Sequence, residues 1–416
     1  MTYQVLTNCR LFTALDEQVI DDAAICIANG RIDYAGAVIN MPASPADATK
    51  RDLGGRFVMP GMTETHAHLS FADEHPFAIG ETTAERSTIV AVRNARLMLA
   101  SGFTSAVSFG STFMIDVALR AAINEGRVIG PRLLAAGRDV GATASNIDSG
   151  SGLSHIVDGP WAVRQAVREQ RKLGVDIVKV FIDGEGINAV NPPGELAYTD
   201  EEVAALVDEA HRRQLRVACH ARSAAAVKQA VRAGVDLVGH ANYLDDEAVE
   251  LLAQHRDRVF VGPAIAWEVE YLAQCESALG ISREVVVAQG YEAEIEATVA
   301  SVQKLREAGV KLVVGGDYGI SIAPHGTYAK DLEYFVDLFG MSPAEALICA
   351  CRHGGLAADP DGGRGVLEPG ALADLVIVDG DPLNDITVLQ DHDRLRVMKG
   401  GVLYGALAID NPYLEE

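Results

Sequence analysis

Between Gly102 and Asp317, short apolar and β-branched runs alternate with amphipathic stretches. The runs are FTSAVSF (103–109), RLLAAG (132–137), DIVKVF (176–181), RVACH (216–220), VDLVGH (235–240), RVFVGP (258–263) and VKLVVGGD (310–317). Continuous rather than alternating apolar runs mark strands covered on both faces, as in a parallel sheet flanked by helices. The intervening pattern predicts helices at 199–214, 223–234 and 245–255, the first opened by Thr199 and Glu202 at capping-box spacing. Adding FVMPGMTETH ahead of these runs completes a set of eight strands. Eight βα units predict a (β/α)8 TIM barrel, whose functional residues gather at the C-terminal ends of the strands.

The two chain ends read differently. VLTNCRLF and AAICIANGRIDYAG at the start, and ADLVIVDG and VMKGGVLYG near the finish, are short strands with turns and no helical period. The expected organisation is a β-sandwich domain built from residues 1–57 and 365–416, beside a barrel of residues 58–364. GATASNIDSGSG (141–152) predicts a long loop after the third barrel strand, and long loops in compact barrels often carry function.

Charge narrows the partners. The chain has 35 Lys and Arg against 58 Asp and Glu, a formal net charge of -23. A field of that sign repels phosphate backbones and anionic headgroups, so neither nucleic acid nor membrane is expected to bind, leaving a small-molecule substrate. Six cysteines are scattered without a CxxC pair, and MTYQVLTNCRLF lacks a basic segment followed by an apolar one. These features predict a cytoplasmic protein, with a homo-oligomer as its expected assembly.

Chemistry enters at the strand ends. His66-Ala67-His68 closes the first barrel strand, and strand alternation points both imidazoles to one side, where they can share a metal ion. His220, His240 and Asp317 each end another strand. In a barrel these ends converge, supplying nitrogen and oxygen ligands with positions left open for water and substrate. Lys179, inside DIVKVF, has three readings: a snorkelling surface residue, a buried ion pair, or a chemically modified ligand. A desolvated lysine loses its proton more readily, and the neutral amine can add carbon dioxide to form a carbamate whose two oxygens could bridge two metals.

These motifs resemble the amidohydrolase superfamily, within it the imidazolonepropionase-like branch that includes Xaa-Pro dipeptidase-like members with a binuclear metal centre. The resemblance runs through GGRFVMPGMTETHAHL, GFTSAV, GPRLLAAGR, GVDIVKVFIDG, RVACHAR, AGVDLVGHA, GGDYG and GVLEPGALADLVIVDGDPL, nearly the whole chain. It implies that His66 and His68 bind an α metal, that His220 and His240 bind a β metal, and that Lys179, as an N6-carboxylysine, bridges the two. Asp317 is implied to bind the α metal and serve as general base and acid, which with Lys179 and His240 makes the implied catalytic set. Two divalent ions are implied, zinc first, with manganese, cobalt or iron as alternatives. The implied reaction is hydrolysis of a C–N bond (amide, urea, carbamate or thiocarbamate, or N-acyl amino acid) by a metal-bridging hydroxide.

Two departures bear on the branch. Deaminases of the superfamily carry a Glu three residues after the strand-5 His and lack the strand-4 lysine; here that position is Ser223, and Lys179 is present. Dipeptidase-like members carry a GGH-type turn after strand 3 and EHG at strand 6, where this chain has GATASN and GHAN. Phenylurea and molinate hydrolases are on this reading at least as similar.

For the substrate, Arg222 is a candidate carboxylate clamp, Asn242 and Tyr243 are candidate donors to the carbonyl oxygen, and Trp267 is a candidate wall. Their bland alternatives are a rim salt bridge, turn residues and ordinary packing. His75, His155 and His325 read as solvated loop histidines, and Cys349 and Cys351 as buried thiols. The functions weighed beside the binuclear amidohydrolase are an Xaa-Pro-type dipeptidase, a lactonase- or phosphotriesterase-like esterase and a catalytically silent barrel scaffold.

Overall fold

The computed structural model describes residues 3–79, 81–149, 152–186 and 191–404. The chain opens with β1 (Tyr3–Phe12), β2 (Val19–Ala28), β3 (Arg31–Ala37), β4 (Thr49–Asp52) and β5 (Phe57–Pro60). A parallel set follows: β6 (Met62–Ala67), β7 (Phe103–Ser108), β8 (Arg132–Leu134), β9 (Asp139–Gly141), β10 (Ser154–Ile156), β11 (Ile177–Phe181), β12 (Arg216–Ser223), β13 (Leu237–Tyr243), β14 (Phe260–Gly262) and β15 (Lys311–Leu312). Last come β16 (Leu375–Val378), β17 (Leu395–Lys399) and β18 (Val402–Tyr404).

The chain ends join in one 8-stranded sheet, ordered β18-β17-β16-β5-β1-β2-β3 with β4 beside β1. It has its own apolar core, including Leu6, Leu11, Ile25, Val58, Leu375 and Met398. FVMPGMTETH, expected as a single barrel strand, is divided. Phe57–Pro60 pairs with β1 and β16, and only Met62–Ala67 joins the parallel set. Pro60 has no N–H to continue a ladder, and the next two amides serve different partners: Gly61 N donates to Asp374 O at 3.0 Å and Met62 N to Gly102 O at 3.0 Å. The parallel set therefore starts at Met62.

The third predicted strand, 132–137, is shortened to β8, which pairs with β7; beyond Gly137, at φ 73, a further strand that the sequence reading did not include, β9, pairs with β11. The parallel strands consequently form a 3-stranded sheet, β6-β7-β8, and a 7-stranded sheet, β10-β9-β11-β12-β13-β14-β15. Residues 132–141 connect the two along one edge. At the other, Thr65 N and Thr65 Oγ1 both donate to Val314 O, at 3.1 and 2.7 Å. Among the described residues the ladder is thus two parallel sheets bridged at both edges.

Alternation along these strands sorts the side chains into two layers. Val178, Val180, Val217, Cys219, Val238 and Val261 belong to the core shared with the helices. Ile177, Ala218, Leu237, Phe260 and Val313 form a separate cluster between the sheets, with Val107 and Phe109. The helix Asp200–His211 carries the expected Thr199–Glu202 capping box and buries Val203, Leu206, Val207 and Ala210. No helix among the described residues is long and apolar enough to cross a membrane.

Candidate metal centre

The inner layer continues upward into the polar site. Lys179, in the middle of β11, follows Ile177 in phase, and His220, in the second half of β12, follows Ala218, so both point inward. His240 is in phase with Val238, which faces the helices, and regular alternation would send it outward. It sits instead at φ 80, followed by Ala241 at φ 55, and this left-handed kink turns its ring toward the centre. Asp317, five residues beyond the end of β15, stands at φ 60, another left-handed residue. Gly239 leaves room for the approach, since a Cβ there would lie 2.7 Å from the Phe109 ring and 3.3 Å from His66 Cε1.

Two groups of donors result. Asp317 Oδ1 is 3.1 Å from His68 Nε2 and 3.6 Å from His66 Nε2. Glu185, His220 and His240 make the second group, with Glu185 Oε1 3.7 Å from His220 Nδ1. Within each group the donor atoms lie within 4.8 Å of one another. The groups adjoin, with the His66 and His240 ring centroids 5.1 Å apart. Lys179 lies under both: its Nζ donates to Phe109 O at 3.4 Å and sits 4.4 and 4.5 Å from the Phe109 and Phe181 ring centres. Phe109 packs on His66 and Phe181 on His220, with centroid separations of 4.0 and 4.4 Å.

The protonation pattern fits a bound cation. His68 Nδ1 faces Gly110 O at 3.1 Å, and because a carbonyl only accepts, Nδ1 carries the proton. Its Nε2 lies 3.1 Å from Asp317 Oδ1, close enough for the two atoms to hold one cation or to share a proton. Among the described residues His66 Nδ1, His220 Nε2 and both ring nitrogens of His240 have no hydrogen-bond partner. Burial holds His66, His220 and His240 well below the usual histidine range, keeping them as neutral donors. Burial opposes ionisation of Asp317, but His66 and the hydrogen bond from His68 outweigh it and hold the carboxyl below its ordinary range. Burial also lowers Lys179, against the opposing charges of Asp139 and Asp317. Nitrogen and carboxylate donors in this density suit zinc, manganese, cobalt or iron.

The centre opens into a cavity of about 430 Å³ lined by His66, His68, Asp317, His220 and Glu185, by the apolar Phe71, Leu153, Phe181, Trp267 and Ile320, and by residues 144–149 of the predicted long loop. Trp267, the candidate wall, is among the residues that line it. Arg222, Asn242 and Tyr243 do not line this cavity. Arg222 is fully buried, with Nη1 2.7 Å from both Glu268 Oε1 and Glu294 Oε1 and Nη2 3.3 Å from Glu185 Oε1. Asn242 belongs to the same cluster, donating to Glu268 Oε1 at 3.2 Å and Thr298 Oγ1 at 2.8 Å, and Tyr243 is half-buried beside it. The expected carboxylate clamp is therefore already occupied by three carboxylates of its own chain. Arg222→Met is expected to destabilise the fold by about 3–5 kcal/mol in urea unfolding, because it leaves those carboxylates buried together without their cation. Unchanged stability would show that the cluster does not need the guanidinium.

Glu185 and Asp139 are the site residues that sequence reasoning missed. Glu185 lies in a loop and Asp139 opens the three-residue β9, too short to leave a periodic signal; Asp139, with its Oδ1 unpartnered, is pushed up to about 7 by burial. His325, expected in solvent, is buried: Tyr328 OH donates to its Nδ1 at 2.8 Å and its Nε2 donates to Phe71 O at 3.1 Å. His155 is half-buried, 3.8 Å from Glu169. Cys349 and Cys351 are buried free thiols in a π-helical turn, Cys349–His353.

A model of the amidohydrolase family matches residues 57–403. The chain belongs to the amidohydrolase family. It is a hydrolase of carbon–nitrogen bonds, and its amidohydrolase relatives share the whole architecture. An ochratoxinase from Aspergillus niger is 27% identical over 94% of this chain and 84% of its own. The A. niger ochratoxinase crystal structure has a TM-score of 0.86 at 25% identity, covering 97% of this chain and 96% of that one. An imidazolonepropionase from Paracoccus denitrificans is 27% identical over 90% of this chain and 93% of its own. A crystal structure of an Xaa-Pro dipeptidase with bound methionine in the active site gives a TM-score of 0.86 at 28% identity, covering 97% and 100% of the two chains. The sequence motifs suggested equal likeness to phenylurea hydrolases, but phenylurea hydrolase B, at 22% identity and a TM-score of 0.79, is more distant than the dipeptidase and shares the fold alone.

Proposed function

We propose that this amidohydrolase is a binuclear metal enzyme that cleaves the C–N bond of an amide, urea or carbamate. The observation that carries the reading is the convergence of His68 Nε2 and Asp317 Oδ1, 3.1 Å apart, beside buried ring nitrogens of His66, His220 and His240 that have no hydrogen-bond partner among the described residues. His66, His68 and Asp317 would hold one ion, and His220 and His240 the other, with Glu185 offering an additional oxygen. Lys179, as an N6-carboxylysine, would supply an oxygen to each. The bridged parallel sheets are read as a closed eight-stranded barrel with a β-sandwich at its side, the architecture implied by the family.

When bound, two divalent cations acidify water toward neutral pH and polarise a substrate carbonyl. The protein does the rest. The Nδ1–H of His68, tied to Gly110 O, keeps Nε2 directed at the centre. Asp317, an ionised carboxylate, takes a proton from the attacking water and returns it to the departing amine nitrogen, without which the amine leaves poorly. Trp267, Phe71 and Leu153 give the scissile bond an apolar surround that excludes bulk water.

Chelation tests the reading. Dialysis against a chelator is expected to lower turnover of aryl amides and aryl ureas by at least about 100-fold, and two equivalents of zinc to restore it. Activity that survives removal of all metal would contradict the proposal.

A further inference from the structure

We propose that this centre selects substrates that carry no carboxylate, namely neutral or amine-bearing amides with an apolar acyl or aryl group. The inference rests on the hydrolase reading above and adds the charge of the substrate to it.

Three carboxylates, Asp139, Asp148 and Glu185, line the cavity in addition to Asp317, and no lysine or arginine is among its described lining residues. Residues 80, 150, 151 and 187–190, next in sequence to the lining segments, are Gly, Gly, Ser, Ile, Asn, Ala and Val, so they bring no cation either. Arg222 is the one guanidinium within reach of Glu185, and Glu268, Glu294 and Glu185 already surround it at 2.7, 2.7 and 3.3 Å. Three acids on one guanidinium leave no positive charge to offer a ligand. Asp148 sits at the exposed rim, anchored by the hydrogen bond from Ala144 N to its Oδ2 at 2.9 Å. With Asp317 and Glu185 engaged by the cations, a carboxylate at the far end of a substrate still passes Asp148 at the rim and finds no lysine or arginine among the described lining residues to pair with it, which disfavours both encounter and binding. An ammonium meets the opposite field, and a neutral group meets the apolar wall of Phe71, Ile147, Leu153, Phe181, Trp267 and Ile320. A dipeptide carries a C-terminal carboxylate by its chemistry, so this cavity departs in specificity from its dipeptidase relative.

The test uses three benzoyl amides that differ only at the far end of the amine: those of propylamine, 1,3-diaminopropane and β-alanine. Benzoate release by the zinc-loaded enzyme gives kcat/KM, and calorimetric titration of the same compounds gives Kd. The propyl and aminopropyl amides are expected to exceed the β-alanine amide by about tenfold or more in both measures. Asp148→Lys, in the same metal-loaded protein, is expected to move the ratio about fivefold or more toward the β-alanine amide, while Asp148→Asn leaves turnover of the propyl amide within about twofold. A β-alanine amide that equals the propyl amide in wild type, or a ratio that Asp148→Lys leaves in place, overturns the inference. Should none of the three release benzoate, the Kd ratios still decide the charge preference, and it is the hydrolase reading that fails.

Discussion

Lys179→Ala is expected to reduce the metal content from two ions per chain to one or none and to lower kcat/KM by about 10³-fold or more, equivalent to about 4 kcal/mol of transition-state stabilisation. Lys179 is 1% exposed and lies where the two donor groups meet, between Phe109 and Phe181. Alanine removes the only amine able to take up carbon dioxide there, and with it the oxygens that would join the ions. The fold is expected to survive, since a buried ammonium on an apolar shelf is itself costly and its loss relieves desolvation. Lys179→Met, which keeps the packing, should behave like alanine if the role is ligation. Elemental analysis together with kcat/KM on an aryl amide checks the pair, and a variant with both ions and full turnover would exclude the bridging role.

Asp317→Asn is expected to lower kcat by about 10²- to 10⁴-fold, the range of general acid–base catalysis, with KM changed much less. Asparagine suits this position because it tolerates the left-handed backbone, φ 60, that Asp317 adopts, so the variant tests proton transfer rather than strain. The carboxyl is held below its ordinary range, so the wild-type enzyme retains its base as pH falls through the usual carboxylate range and loses rate only below it. That acid limb should disappear in the variant. A kcat within threefold of wild type would remove Asp317 from the proton path.

Much of this architecture was readable in advance because parallel strands buried on both faces leave continuous apolar runs, and a polar residue at the end of such a run stands out. His66, His68, His220 and Asp317 were conspicuous for that reason, Lys179 because it is a charge inside such a run, and Thr199–Glu202 because a capping box is local. What escaped was set by contacts between distant segments. The division of FVMPGMTETH depends on where Asp374 and Gly102 present their carbonyls, and the division of residues 132–141 on a left-handed Gly137. The inward turn of His240 comes from its positive φ, which alternation cannot express. Arg222 looked like a clamp because its strand points it inward, yet Glu268 and Glu294, from helices Ile265–Leu279 and Tyr291–Glu307, close over it. Glu185 and Asp139 sit outside any periodic pattern, and only the folded chain brings them to the cavity.

The central claim is that two cations occupy the space between these strand ends. Anomalous diffraction at the zinc edge from crystals of the zinc-loaded protein tests it most directly. The account predicts two peaks, one enclosed by His66, His68 and Asp317 and the other by His220 and His240, with density for a carbamate on Lys179 reaching both. A map with no peak at either group, and an unmodified Lys179 paired with Asp139, would contradict it.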